Sequence, residues 1–434
     1  SADCRWRGIC NEKEFTEFEQ NHELGSFYQT VKWGKLKETN GWHYYLVGVK
    51  ENKKIIAGAL ILKKNVLSKL SILYSPRGFL LDYNNHKLLN FFTKNIKKFA
   101  KKHHAIFVKI DPAIIYKERN KDGNLVNNGI DNSNIIDSLK ELGFKHNGFI
   151  DVGNLQPRFA FTLDLNGKSI DEIYNKMETT TKQMIKKDES FGIKTRVMKK
   201  DELNKFKDVM EKTSIRRNFI DRPLEYYKNM LDIFKEEIEI LFAEINIEEY
   251  LNNLNNRKKE EEKKLDNIKD DLKTRKFANN KKANNKINEI QIIIDSLDKK
   301  INIANNMKKD GNVVLLGALM FIFHGKEVLS LFGGAYGEYR DFMPAYMLNW
   351  DMIKYAKEHD YAKYNFYGIS DVFNNKNENM YGLFEFKKGF DGVVEEYIGE
   401  FNLIVSKFWY FVYSFAYNKV YVKLKSLKIK SPRN

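Results

Sequence analysis

Arg222 and Tyr226 stand one helical turn apart in RPLEYY (222–227). A helix opening at that motif would set a guanidinium and a phenol on one face, where together they could hold an oxyanion. The competing reading is that Arg222 only caps or salt-bridges a helix behind Pro223. Lys387 and Lys388 lie in FEFKKGF, flanked by Phe384, Phe386 and Phe390. That setting predicts one ammonium drawn toward a cleft and the other in water. Asp111 in KIDP could orient an amine or accept its proton, although an Asp before Pro112 at a strand end is equally often a turn former. Lys37 in WGKLK reads by itself as a solvated lysine. No GxSxG elbow, HExxH, Walker loop or GxGxxG fingerprint occurs. His103 and His104 end a predicted helix, where they suit its dipole better than a metal. Cys4 and Cys10 lack CxxC spacing and nearby histidines, so no metal site is expected, and a reducing compartment fits best.

These side chains need a scaffold, and the apolar patterning describes one. WHYYLVGVK and KIIAGALILKK (42–64) read as strands, LLNFFTKNIKKFAKKH (88–103) as a helix and AIFVKID (105–111) as a strand. The rhythm returns with a hairpin from VVLLGALMFIF and KEVLSLFGG (313–334), a helix PAYMLNWDMIKYAKEH (344–359) and a strand AKYNFYGI (362–369). Strands alternating with helices predict an α/β (α+β) fold of about two globular units. Only 6 prolines interrupt the chain, so the units should pack without a long linker. Between 246 and 309 the composition turns to Asn, Lys and Glu. Ile247, Leu251, Leu254, Leu265, Ile268 and Leu272 recur at helical spacing if Lys258 and Glu261 fill two seam positions, then Ala283, Ile287, Ile290, Ile294, Leu297, Ile301 and Ala304. This predicts an antiparallel coiled-coil hairpin of about 45 Å that projects from the body with nothing left to dock elsewhere. Its charges could touch RNA or only keep it solvated.

The chain has 434 residues and a formal net charge of +16, which favours a polyanionic partner, though lysines also serve simply to solvate a surface. No apolar run is long enough to cross a bilayer and no signal core follows the charged N-terminus, so a cytoplasmic protein is expected. FWYFVYSFAY (408–417), followed by Lys419, Lys423, Lys425, Lys428, Lys430 and Arg433, reads either as a last core helix with a solvated tail or as a contact with an anionic lipid surface.

Read in chain order, several motifs carry a more specific signal: FYQTVKWGKLKETNGW (27–42), YSPRGFLLDY (74–83), KIDP (109–112), LQPRFAFTLDL (155–165), NFIDRPLEYYKNM (218–230), LFGGAYGEYRDFMPAYMLNWDMIKYA (331–356), NFYGIS (365–370) and GLFEFKKGFDGVVEEYIGEF (382–401). Together they resemble the Fem family (FemABX) of tRNA-dependent aminoacyltransferases that form the interpeptide bridge of peptidoglycan. The resemblance implies two tandem acetyltransferase-like (GNAT) subdomains, 1–150 and 151–245 with 310–400, the arm 246–309 inserted in the second, and a C-terminal helix with a basic tail at 401–434. It implies no cofactor and two substrates, an aminoacyl-tRNA carrying Gly, Ser or Ala and a UDP-linked or lipid-linked muramyl pentapeptide. With these comes a role in cell shape; the aromatic stretch and basic tail would place such an enzyme at the inner face of the membrane if they meet lipid.

By the same resemblance, Lys37 matches a position that contacts the precursor's phosphates, and Arg222 and Tyr226 match positions on that precursor site. Lys387, with Lys388 as second choice, matches a lysine near the transfer site, and Asp111 an aspartate there. Phe332 stands where some members have a tyrosine over the substrate, so stacking could persist without a hydroxyl. Lys182 stands where many have arginine, which weakens bidentate phosphate binding. Two other readings remain open: a non-catalytic basic tRNA- or RNA-binding protein, and an acetyl-CoA-dependent N-acetyltransferase. Against the latter, no Q/RxxGxG/A loop occurs. Convergence of Lys37, Arg222, Tyr226 and Lys387 on one cleft would favour catalysis over binding alone.

Overall fold

The apolar runs become strands of two sheets in a computed structural model that describes residues 5–8, 10–149, 154–274, 280–378 and 380–429. Cys4 and the end of the basic tail lie outside the described residues. In chain order the strands are β1 (Arg5–Arg7), β2 (His43–Glu51), β3 (Lys54–Leu67), β4 (Leu70–Ser75), β5 (Ala105–Ile110), β6 (Phe144–His146), β7 (Phe159–Asp164), β8 (Lys194–Val197), β9 (Ile238–Asn246), β10 (Val313–His324), β11 (Glu327–Ala335), β12 (Lys363–Ile369), β13 (Val393–Glu396) and β14 (Phe401–Ile404). One sheet has the order β1-β2-β3-β4-β5-β14-β6, the other β13-β7-β12-β11-β10-β9-β8.

The repeated rhythm is a repeated topology. β3 and β4 pair antiparallel, the helix His86–Lys102 crosses over, and β5 lies parallel to β4. β10 and β11 pair antiparallel, the helix Ala345–Glu358 crosses over, and β12 lies parallel to β11. A parallel pair needs such a crossover, and the local sequence supplies it. In the first crossover, Leu88, Leu89, Phe92, Ile96, Phe99 and Ala100 form a buried stripe, and the Asn85 side chain accepts the Leu88 N–H at 3.1 Å as N-cap.

The C-terminal segment differs from expectation at its start. Residues 401–434 read in sequence as helix and tail, but Phe401–Ile404 is a strand that pairs with both β5 and β6, returning the chain to the first sheet before the helix Lys407–Ile429 begins. Four residues are too short a run for the period-two signal to stand out. The two sheets also share a core: Phe27, Tyr28, Trp33, Leu36 and Leu60 pack with Phe206, Tyr226, Tyr227, Met230, Met320 and Ile322.

The arm is formed by the helices Ile247–Thr274 and Asn280–Met307, each 28 residues and so about 42 Å long. Its outer seam holds Leu265, Ile290 and Ile294, flanked by Ile268 and Ile287. Lys258, assigned to the seam by spacing, instead bridges the helices through Asp298 at 2.5 Å. Nor is the base free of the body. Tyr250, Leu251, Leu254, Leu297, Ala304 and Met307 belong to the second sheet's core, and Tyr250 packs edge-on against Phe191 and Phe342. The expectation that nothing remains to dock fails because spacing alone cannot tell a partner-helix contact from a core contact.

Asp188, on the helix Thr179–Ser190, is fully buried, and both carboxylate oxygens lack a hydrogen-bond partner among the described residues. Burial pushes its pKa up to about 8, against the opposing charge of Lys187. The folded protein therefore holds a proton here that the unfolded chain releases near pH 4, so this group makes stability fall as pH rises from about 4 to about 8. Asp188→Asn should remove that slope and raise the unfolding free energy at pH 8 by on the order of 1–3 kcal/mol. Urea midpoints at pH 5 and pH 8 test it, and parallel pH dependences in the two proteins would refute it.

Candidate functional site

A cationic corner forms where the helix Val31–Glu38 meets the helix Leu224–Phe234. Thr30 caps the first helix by accepting the Trp33 N–H at 3.1 Å, and Val31, Trp33 and Leu36 face the core. Lys37 follows Trp33 by one turn, so its ammonium lies 4.8 Å from the Trp33 ring centroid and 5.8 Å from that of Tyr226. Tyr226 is buried in the second helix's first turn. Arg222 is not on that helix, as its spacing suggested, but precedes it. Pro223 holds the chain extended, and the guanidinium folds over Tyr226 at 4.8 Å.

The corner is short of negative charge. Among the described residues neither Lys37 nor Arg222 pairs with a carboxylate, and the nearby Asp221 is held by Lys207 and by the Tyr227 hydroxyl at 2.6 Å. Burial, and then the like charges of Arg222 and Lys64, pull the Lys37 pKa down to about 8. The Tyr226 hydroxyl and the Trp33 indole N–H are buried without a hydrogen-bond partner among the described residues. Two cations over one phenol ring, with no carboxylate paired to either among the described residues, are what a phosphate-like oxyanion would satisfy. Phe332, half-buried on β11, packs edge-on against Tyr227 at 6.0 Å and adds an aromatic wall without a hydroxyl.

Tyr367 joins this corner to the buried lysine. β12 bulges between Asn365 and Gly368, which puts Tyr367 at φ +71°, with its N–H donating to Asn365 Oδ1 at 2.8 Å. The Tyr28 hydroxyl donates to that of Tyr367 at 3.1 Å, and the charges of Arg77, Arg222 and Asp111 all act on the Tyr367 phenol. The next carbonyl, that of Gly368, accepts the Lys387 ammonium at 2.9 Å. Lys387 is only 8% exposed, and burial, aided by Arg217, lowers its pKa to about 7. Lys388, about 100° further round the helix Tyr381–Lys388, points away and pairs with Asp122 at 2.6 Å. The pair thus divides into one inward and one surface lysine, and Lys388 is not brought to the corner.

Asp111 is buried as well, but its oxygens are occupied. It accepts the Tyr74 hydroxyl and the Arg77 backbone N–H, each at 2.6 Å, and burial raises its pKa to about 6. Arg77 in turn donates to the Pro157 carbonyl at 2.7 Å and lies 4.3 Å over the Tyr397 ring. Asp111→Asn leaves one donor unmatched, so it should cost about 1–3 kcal/mol of stability, read by urea denaturation. An unchanged midpoint would show these bonds to be dispensable.

A cavity of about 500 Å³ borders this seam. Its wall includes Tyr28, Arg77, Tyr367 and Gly368 and carries both signs of charge, among them Lys326, Lys363, Glu327 and Glu395. Among the described residues no cluster of His, Cys, Asp or Glu could hold a metal ion. Tyr28, Trp33, Arg77 and Tyr367 were not singled out from the sequence. Each lies within a motif quoted above, where aromatic residues read as core.

A model of the FemAB family matches residues 10–418. The "Aminoacyltransferase FemA" of Staphylococcus epidermidis is 35% identical over 405 residues, covering 92% of this chain and 96% of the relative. That of Staphylococcus aureus is 34% identical over 406 residues, covering 93% and 96%. Among solved structures, FemX superposes with a TM-score of 0.71 at 27% identity, over 92% of this chain and 97% of that one.

Proposed function

The chain belongs to the FemAB family and is an aminoacyltransferase of two tandem acetyltransferase-like (GNAT) units carrying a helical hairpin, and from that premise we propose its substrates and the residues that act on them. It transfers Gly, Ser or Ala from an aminoacyl-tRNA to the stem peptide of a lipid-linked muramyl pentapeptide, building the interpeptide bridge. The observation that carries this reading is the Lys37–Tyr226–Arg222 corner, joined through Tyr367 and Gly368 to the buried Lys387. The names borne by the relatives do not favour a non-catalytic RNA binder or an acetyl-CoA-dependent acetyltransferase. In this reading the units comprise 1–150 and 151–245 with 310–400.

The chemistry is an aminolysis. The free amine of the acceptor attacks the ester carbonyl and the C–N bond forms as the carbonyl oxygen takes negative charge; the nitrogen then gives up one proton, the carbonyl re-forms as the C–O bond to the ribose breaks, and the ribose oxygen takes up that proton to leave as a hydroxyl. Lys37 and Arg222 hold the precursor's pyrophosphate, with the Tyr226 ring setting the two cations beside one another. Phe332 stacks on the precursor. Lys387, protonated below about pH 7 in the free protein, supplies positive charge to the oxyanion or the leaving oxygen in a water-poor setting. Asp111 acts as a positioning residue by fixing Arg77 beside Tyr367. The cavity, with both signs of charge, suits a peptide or an aminoacyl group.

The test is direct. Purified protein with glycyl-, seryl- and alanyl-tRNA and either precursor form should yield a stem peptide longer by at least one residue. A folded sample inactive across that panel would overturn the reading.

A further inference from the structure

Over residues 407–420, the helix Lys407–Ile429 is covered on one side only. Its inner face rests on β5, where Phe107 packs against Tyr410 at 5.6 Å and Tyr413 at 5.5 Å, and Asn402 donates to the Tyr410 hydroxyl at 3.0 Å. Phe408, Phe411 and Phe415 recur at the spacing that keeps one helical stripe, on the opposite side, and are 66%, 71% and 55% exposed. Phe411 and Phe415 stack on one another, and Lys419 continues the stripe with its ammonium 4.6 Å from the Phe415 centroid. The expectation of a last core helix therefore holds for half of it.

We propose that this phenylalanine stripe, with the lysines around and beyond it, seats the protein on an anionic lipid surface. From residue 407 to the end of the sequence there are six lysines and one arginine, and no Asp or Glu. An uncompensated cationic segment matches an anionic bilayer and repels a second copy of itself, since a two-fold contact would set the patch against its own charges. Transfer RNA would satisfy the cations but leave the phenylalanines wet, whereas a lipid interface takes both at once. No helix among the described residues is long and apolar enough to cross a membrane, so the helix lies along the surface. The purpose of this docking rests on the lipid-linked precursor proposed above: it would hold the protein at the bilayer that bears its acceptor. The docking itself can be measured without any transfer reaction.

The experiment is flotation of the full chain with phosphatidylcholine vesicles, with and without phosphatidylglycerol. Binding should require phosphatidylglycerol and weaken as salt rises. The triple variant Phe408→Ser, Phe411→Ser, Phe415→Ser should bind such vesicles at least about tenfold more weakly, because its apolar insertion is lost. It should keep wild-type transfer to the water-soluble UDP-linked precursor and lose about tenfold with the lipid-linked one in vesicles. Phe411→Ser alone gives a smaller change of the same sign and guards against misfolding of the triple variant. Absence of wild-type binding, undiminished binding by the triple variant, a dimer in sedimentation that the variant dissolves, or a loss confined to tRNA affinity would each overturn the proposal. Should no substrate be turned over at all, the vesicle result still stands or falls alone.

Discussion

Lys387→Ala is expected to slow aminoacyl transfer by about 10²–10³-fold while changing precursor affinity by less than about threefold. The site explains the split. The Lys387 ammonium is nearly fully buried, has the Gly368 carbonyl as its hydrogen-bond partner, and meets no carboxylate among the described residues. Burial of an uncompensated cation costs stability. The folded pKa lies near 7 and the unfolded one near 10.5, so the folded chain binds fewer protons in that window and its stability rises with pH there. Lys387→Met should therefore be at least as stable as the parent below pH 7, yet inactive, which is the mark of a group kept for chemistry. If the ammonium form is the active one, the rate falls as pH rises through the Lys387 pKa. That limb moves above 7 when a tRNA phosphate arrives, and it disappears in Lys387→Ala. Single-turnover transfer across pH, alongside precursor titrations, measures both. If Lys387→Ala changed binding alone, to the same degree as Arg222→Ala, Lys387 would have no part in the reaction.

Arg222→Ala should do the reverse, weakening precursor binding by about 10- to 100-fold, or about 1.4–3 kcal/mol, with turnover at saturation little changed. Arg222 and Lys37 repel one another across Tyr226, and the pyrophosphate relieves that repulsion on arrival. Arg222→Lys should restore only part of the affinity, because an ammonium lacks the planar fork that two phosphate oxygens can share. The loss should shrink at high salt, since Arg222 is exposed and screened. Calorimetric titration with the UDP-linked precursor decides the matter. A lowered turnover with unaltered affinity would place Arg222 in the chemistry instead.

Periodicity made much of the scaffold legible. The stripe from Leu88 to Ala100 and the continuous apolar runs in β2, β3, β10 and β11 are local patterns, and local patterns depend only on how much of an element meets the core. The arm's outer seam was legible for the same reason, whereas its base and Lys258 were not, since a spacing does not say which neighbour fills it. β14 escaped because its place between β5 and β6 is set by strands distant in the chain.

By itself the sequence determined the repeated strand and helix units, the helical hairpin, the cationic character, and motifs specific enough to point to a family and to Lys37, Arg222, Tyr226 and Lys387. Only the tertiary structure decided how these meet. A bulge in β12 turns Tyr367 toward Tyr28 and lets Gly368 receive Lys387, while Asp111 is committed to Tyr74 and Arg77 and Lys388 to Asp122. The physical reason is that burial and charge shortage belong to a place rather than to a residue. A lysine near pH 7, or a phenol without a partner, exists only once distant segments have closed around it.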